Sequence, residues 1–114
     1  MARRADIQLR MAEDFGGRKD AGVRTQFICF GDVALVSCNI EPFCEIGLAI
    51  KRQSPFLFTL VSGYSNGRLA YMPTAEEWAR GGYEVENSPF GQGAAKLLER
   101  KILATLDGLR RDRL

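Results

Sequence analysis

The chain has 114 residues, of which 46% are hydrophobic and 26% charged, and its net charge is +2. This length and composition predict one domain, residues 1–114, with one modest core, and they argue against a disordered chain. The small net charge, without aromatic residues interleaved among the terminal arginines, argues against nucleic acid binding. No apolar run is long enough to form a transmembrane segment.

The chain contains three cysteines and no histidine. Cys29, Cys38 and Cys44 stand in apolar or junction contexts, which are typical of small core residues in a reducing compartment. We therefore expect a cytoplasmic protein. Because there is no histidine, a serine–histidine nucleophile and a histidine–cysteine metal cluster are excluded within this chain.

The first part of the chain predicts three strands. Residues 5–11 alternate apolar and polar side chains, which predicts a half-buried strand, and a polar, glycine-rich loop follows as far as Gly22. Two β-rich runs then flank Gly31 and Asp32, the pattern of a hairpin with a two-residue turn. The second run is apolar on both faces, so we expect it to be a central strand.

A strand–helix–strand unit is predicted next. From Glu41 the apolar period changes from two to about 3.6, which indicates a helix with Pro42 in its first position and Ser54-Pro55 at its end. Residues 56–63 form the next buried strand. Strand, helix and strand over this length predict a βαβ unit with two parallel strands.

The second half of the chain is predicted to be mainly helical. Thr74 and Glu77 have the spacing of a capping box, which starts a brief helix that stops at a pair of glycines. The run Tyr83–Glu86 predicts a short strand, and residues 94–109 predict the last helix. The fold class is α+β: a mixed β-sheet containing a βαβ unit, with two longer helices and one short helix packed on it.

Two junctions fall at the carboxyl ends of the predicted parallel strands, where open sheets bind ligands. One contains Glu41 and the other contains Asn66, with Tyr71 close behind, so a carboxylate and an amide could converge at one edge. Both residues also have a structural explanation. Glu41 suits the positive end of the helix that follows it, and Asn66-Gly67 is a good turn dipeptide. Spacing alone favours the structural explanation and leaves the other open.

The order and spacing of three stretches resemble a known family. They are FGDVALVSCNIEPFCEIGLAIKRQSPF, TLVSGYSNGRLAYMPTAEEW and GGYEVENSPFGQGAAKLLE. From about Val23 to Leu103 the chain resembles the C-terminal part of the catalytic domain of neutral/alkaline non-lysosomal ceramidases. It resembles in particular the shorter bacterial ceramidase-like proteins.

The resemblance implies a set of site residues. In the family, two histidines from earlier in the chain hold a zinc ion together with a glutamate and a tyrosine of this region, and the zinc-bound water attacks the amide of an N-acyl sphingoid lipid. Glu41 and Tyr71 match the two metal ligands, and Tyr83 matches a second, catalytic tyrosine. Asn66 and Arg68 fall at the family's asparagine turn and are the implied ligand-binding residues.

The chain also departs from the family. Asn39 and Ile40 replace a Pro-Gly pair, Arg68 replaces an aromatic residue, and no histidine is present. The resemblance therefore implies no cofactor for this chain alone, with zinc held only if a partner completes the site. Three interpretations follow: a piece or subunit of a hydrolase whose partner protein supplies the histidines, a binding module, or an oligomerising domain. The abundance of apolar strand residues predicts a homodimer that pairs through the sheet or the last helix.

Overall fold

The computed structural model describes residues 22–112, so the predicted strand at residues 5–11 lies outside the described residues. Within them, β1 (Thr25–Phe30) and β2 (Val33–Cys38) form an antiparallel hairpin in which Thr25 pairs with Cys38 and Phe30 with Val33. Gly31 in the two-residue turn has a φ of +56°, a left-handed conformation that glycine adopts without strain. The predicted hairpin is confirmed.

The βαβ unit is confirmed as well. Strand β4 (Phe58–Ser62) lies parallel to β2, with Val33 opposite Phe58 and Ser37 opposite Ser62. The sheet order β1-β2-β4 makes β2 the central strand. Helix α1 (Cys44–Gln53) connects β2 to β4, and it ends where Ser54 adopts an extended conformation.

The start of α1 differs from the prediction. Glu41 and Pro42 form a short strand, β3, which pairs in parallel with β5 (Tyr71–Met72) in a second, two-stranded sheet. The Glu41 N–H donates to the Ala70 carbonyl at 2.9 Å, and the helix begins only at Cys44, after Phe43. The prediction that Pro42 occupies the first helical position was therefore wrong, and Glu41 is not a helix-terminal carboxylate.

Two short helices follow β5. Helix α2 (Ala75–Arg80) has Thr74 as its N-cap, whose hydroxyl accepts the Glu77 N–H at 3.2 Å. The Glu77 carboxylate pairs with Arg80 at 2.7 Å. The predicted capping box is therefore half formed: the Thr74 hydroxyl caps the helix, whereas the Glu77 side chain pairs with Arg80 on the helix surface.

The run Tyr83–Glu86 is a single helical turn, α3, where a strand was predicted. The Asn87 N–H donates to the Tyr83 carbonyl at 3.1 Å, and the Asn87 side-chain amide donates to the same carbonyl at 2.8 Å. Asparagine favours such local bonds to the backbone, and they close a turn that an extended segment cannot make. The strand prediction was wrong for this reason.

Helix α4 (Ala94–Asp112) completes the described fold, and it packs with α1 on one face of the three-stranded sheet. The core lies in this layer. Its largest fully buried members come from the central strand, the β2–β3 junction, both longer helices and β5: Val36, Cys38, Ile40, Ile46, Ile50, Met72, Ile102 and Leu106. The α+β architecture with a mixed sheet is confirmed. None of the helices within residues 22–112 is both long and apolar enough to cross a membrane.

The end of α4 is fixed to the first hairpin through Arg110. Its guanidinium donates to the Asp32 carboxylate at 2.9 Å and to the Gly31 carbonyl at 3.3 Å. It also lies 5.2 Å from the centre of the Phe56 ring, within the range of a cation–π interaction. One side chain therefore joins the last helix, the hairpin turn and the residues that precede β4.

Candidate functional site

The two-stranded sheet places Glu41 beside Tyr71. They are directly opposite each other in the parallel pair of β3 and β5. The ladder is held by backbone bonds on both sides of this pair, from Glu41 N–H to the Ala70 carbonyl at 2.9 Å and from Phe43 N–H to the Met72 carbonyl at 3.0 Å. Residues opposite each other in a sheet project to the same face, so the carboxylate and the phenol share one side of this small sheet.

The segment that follows β4 passes very close to β3. A Cβ atom on Gly63 would lie 3.0 Å from the Ile40 carbonyl oxygen and 3.2 Å from Cδ of Pro42, so only glycine fits without displacement. The next residue, Tyr64, donates its N–H to the Ile40 carbonyl at 2.8 Å. This approach brings the Tyr64 side chain to Glu41.

Tyr64 is a residue of the candidate site that the sequence did not predict. Its φ of +49° is unusual for a residue with a side chain, and Arg68 lies 5.6 Å from the centre of its ring. Partial burial, followed by hydrogen bonding to Glu41 and the negative charge of Glu41, raises the pKa of the Tyr64 phenol. Its position in the sequence was the available signal, because Tyr64 stands two residues before Asn66, at the junction that follows β4.

Tyr71 and Tyr83 are in contact. Their ring centres are 6.2 Å apart and their planes meet at 70°, an edge-to-face arrangement. Desolvation raises the pKa of the Tyr71 phenol, and the negative charges of Glu41, of an ionised Tyr83 and of Glu84 raise it further, while Arg68 opposes them. The helical turn of α3 thus places the Tyr83 ring in contact with the Tyr71 ring.

Five side chains therefore converge. We call Glu41, Tyr64, Arg68, Tyr71 and Tyr83 the phenol–carboxylate cluster. Four of them are residues that the resemblance implied, drawn from the two predicted junctions, from β5 and from α3. With one acceptor, one cation and three phenols, the cluster presents hydrogen-bond donors and acceptors side by side.

Asn66 does not join the cluster. Its side-chain amide donates to the Gln26 side-chain oxygen at 2.8 Å, and it lines a polar surface pocket together with Arg24 and Thr25 of the first strand region. Its φ of +59° fits the predicted turn role. The structure therefore separates the two residues that were expected to bind a ligand, Asn66 and Arg68.

Asn39 has a structural role at the same junction. It is almost fully buried, its side-chain oxygen accepts the Arg24 N–H at 2.8 Å, and its amide donates to the Gly22 carbonyl at 3.3 Å. Gly67 passes so close that a Cβ atom there would lie 3.1 Å from Cβ of Asn39. Asn39 thus ties the segment before β1 to the junction that carries Glu41.

A surface groove of about 310 Å³ adjoins the cluster at Glu41. It runs between α1 and the end of β4. Phe43, Leu48 and Val61 give it apolar walls, and Lys51 adds a cation. Its volume is at the lower end of the range for small-molecule sites.

The residues present do not fit a zinc ion by themselves. Glu41 and Tyr71 offer two oxygen donors, whereas a catalytic zinc takes three protein ligands. Within residues 22–112, no group of three or more histidine, cysteine, aspartate or glutamate side chains is placed to hold a metal. The whole chain contains no histidine that could add to the pair.

Comparison with solved structures identifies the fold. The structure described as "Ceramidase complexed with C2" is similar to this chain, with a TM-score of 0.71 and 21% sequence identity. The similarity covers 77% of this chain and 15% of that chain. The fold is therefore ceramidase-like, and this chain spans a small part of the length of the protein it resembles. No protein-family model and no curated protein matches the chain.

Proposed function

We propose that this chain is a ceramidase-like binding module. In this proposal the phenol–carboxylate cluster binds the polar part of a small amphipathic ligand, and the chain does not hydrolyse amides alone. The observation that carries the proposal is the convergence of Tyr64 and Tyr71 on Glu41. The ligand class follows from what these groups and their neighbouring groove can contact.

The cluster suits an amide or a hydroxyl group. Such groups both donate and accept hydrogen bonds, so they need an acceptor and a donor within a few ångströms of each other. Glu41 supplies the acceptor, and the phenol O–H groups of Tyr71 and Tyr83 supply donors. Arg68 adds a cation for a ligand oxygen.

The adjoining groove suits a short apolar chain. Its walls are formed by Phe43, Leu48 and Val61, and its volume of about 310 Å³ is at the lower end of the range for small-molecule sites. Leu48 is 51% exposed, so contact with an apolar ligand would remove apolar surface of this side chain from water, which is favourable. A molecule with an amide head and an aliphatic tail matches both parts of the site.

Titration of the full chain with a short-chain N-acyl sphingoid lipid, below its aggregation concentration, tests the proposal. A hydrogen bond to a charged group contributes about 1.5–3 kcal/mol, so we expect Glu41→Gln to weaken binding about tenfold or more. Glu76→Gln is the matched control, because Glu76 is exposed on α2 and lies outside the cluster and the groove. Equal affinities of the two variants would refute the proposal.

One observation favours a second function. The two residues that the family resemblance implies as zinc ligands, Glu41 and Tyr71, lie directly opposite each other. The chain would then be one subunit of a zinc-dependent N-acyl amide hydrolase, and a partner protein would supply the histidines. This function predicts that zinc-dependent hydrolysis appears only when a histidine-bearing partner is added. The product of an adjacent reading frame is the first partner to test.

A further inference from the structure

One face of the three-stranded sheet is apolar and exposed. The alternate residues Ala34, Val36 and Cys38 of β2 are buried under the helices, so the other residues of the sheet point away from them. The strand register arranges those residues in rows of three across β1, β2 and β4. We call the two apolar rows the outer sheet face, which consists of Phe30, Val33 and Phe58, and of Ile28, Leu35 and Leu60.

The outer sheet face is large for a surface feature. Phe30 and Phe58 are each 60% exposed, Leu60 is 55% exposed and Ile28 is 51% exposed, while Val33 and Leu35 are partly covered by these neighbours. With roughly 200 Å² for a whole aromatic side chain and somewhat less for an aliphatic one, the face exposes about 500 Å² of apolar surface. The largest apolar patch of an ordinary monomer is about 300–600 Å² and is often functional.

The face carries no charge. The row beyond the two apolar rows consists of Gln26, Ser37 and Ser62. A second copy rotated about a two-fold axis along the strands places each row over its own counterpart. Apolar rows then meet apolar rows and the polar row meets a polar row, with no like charges opposed, so the face is complementary to itself.

We propose that the outer sheet face binds a second copy of this chain. Two such faces bury about 1,000 Å² together, which is the lower limit of a specific interface, so the dimer dissociates on dilution. Two twisted sheets pack face to face at about 10 Å separation, the arrangement of a β-sandwich. The last helix is a poorer surface, because its apolar residues Ala95, Ile102 and Leu106 are already buried in the core.

This inference is independent of the proposed function, since none of the cluster residues belongs to the outer sheet face. The experiment is light scattering of the full chain over a dilution series, with two leucine variants. Leu60→Glu places a charge in an apolar row of the face, where the two-fold axis sets it over the apolar residues of the second copy's β1. Leu97→Glu is the matched control, because Leu97 is 49% exposed on α4 and lies away from the sheet.

We expect the wild-type chain and Leu97→Glu to approach about 25 kDa at the highest concentrations, and Leu60→Glu to remain near 12.7 kDa. If circular dichroism shows that Leu60→Glu does not fold, Leu60→Thr takes its place, because threonine favours strands. A wild-type mass of 12.7 kDa throughout overturns the proposal and assigns the face to a different partner. A mass that rises past the dimer without levelling, or a folded Leu60 variant that still dimerises, overturns it as well.

Discussion

Replacing Gly63 by alanine perturbs the closest backbone approach at the site. The added methyl group would lie 3.0 Å from the Ile40 carbonyl oxygen and 3.2 Å from Cδ of Pro42. Neither group yields easily, because the carbonyl accepts the Tyr64 N–H at 2.8 Å and the proline ring is held within β3. Gly63→Ala therefore has to separate the end of β4 from β3 by a few tenths of an ångström.

Overpacking a protein interior destabilises it by about 1–3 kcal/mol, so we expect Gly63→Ala to lower the free energy of unfolding by a similar amount. For a domain of this size, that corresponds to a fall in melting temperature of about 4–8 °C per kcal/mol. Gly47→Ala is a control of opposite sign. Its methyl group would meet only Cβ of Val61, at an ordinary 3.8 Å, and alanine is more favourable than glycine inside a helix by about 1 kcal/mol.

Urea unfolding followed by circular dichroism measures both variants, with the slope of the transition checked for constancy. We expect Gly63→Ala to unfold at lower urea concentration than the wild type and Gly47→Ala at higher. A Gly63→Ala variant as stable as the wild type would show that the segment after β4 does not pass β3 as closely as described.

Four further predictions concern the cluster and the core. Glu41→Gln lowers the pKa of the Tyr64 and Tyr71 phenols toward the usual value, as tyrosinate absorbance during alkaline titration will show. The same substitution lowers the free energy of unfolding by less than about 1 kcal/mol, because the carboxylate is only half-buried. The pKa of the Tyr71 phenol is raised in the folded state, so this phenol stabilises the fold below about pH 10, and that stabilisation is lost as the pH rises through the folded-state pKa. Above about pH 10, the urea midpoint of Tyr71→Phe should therefore fall less steeply with pH than the urea midpoint of the wild type. Metal analysis after dialysis should find well under one zinc per chain, and one tightly held zinc would contradict our account of the ligand set. Arg110→Ala should cost about 1 kcal/mol, mainly through lost packing on Phe56, whereas Arg111→Ala on the exposed side of α4 should cost almost nothing; equal losses would contradict the role given to Arg110.

The parts of the fold that the sequence predicted well depend on local signals. The hairpin needs only a two-residue turn between β-rich runs, and the end of α1 needs only Ser54-Pro55. The N-cap at Thr74 is likewise set by residues within one turn of it. Each of these features is formed by neighbours in the sequence, so the pattern of the residues contains the information.

The parts that the sequence did not predict depend on distant partners. Glu41 becomes a strand residue because its N–H finds the Ala70 carbonyl, 29 positions further along the chain. Tyr64 joins the cluster because Gly63 permits a close approach to β3, which no local pattern expresses. The four residues Tyr83–Glu86 alternate like a strand but are too few for periodicity to separate a strand from a turn of helix. Four of the five cluster residues were therefore named from the sequence, whereas the addition of Tyr64 and the separation of Arg68 from Asn66 depend on the three-dimensional arrangement.

The bond between Arg110 and the hairpin turn has a consequence for synthesis. It joins residues that are 78 and 79 positions apart, whereas the hairpin itself forms within about 1–10 μs once its strands are available. At about 5–20 residues per second, a ribosome takes roughly 4–16 s to add the residues that separate the turn from Arg110. During that interval Ile102 and Leu106 have not yet packed into the core, so the core side chains that they cover in the finished fold are exposed to water. The final helix thus ends the period in which the new chain is most prone to aggregate.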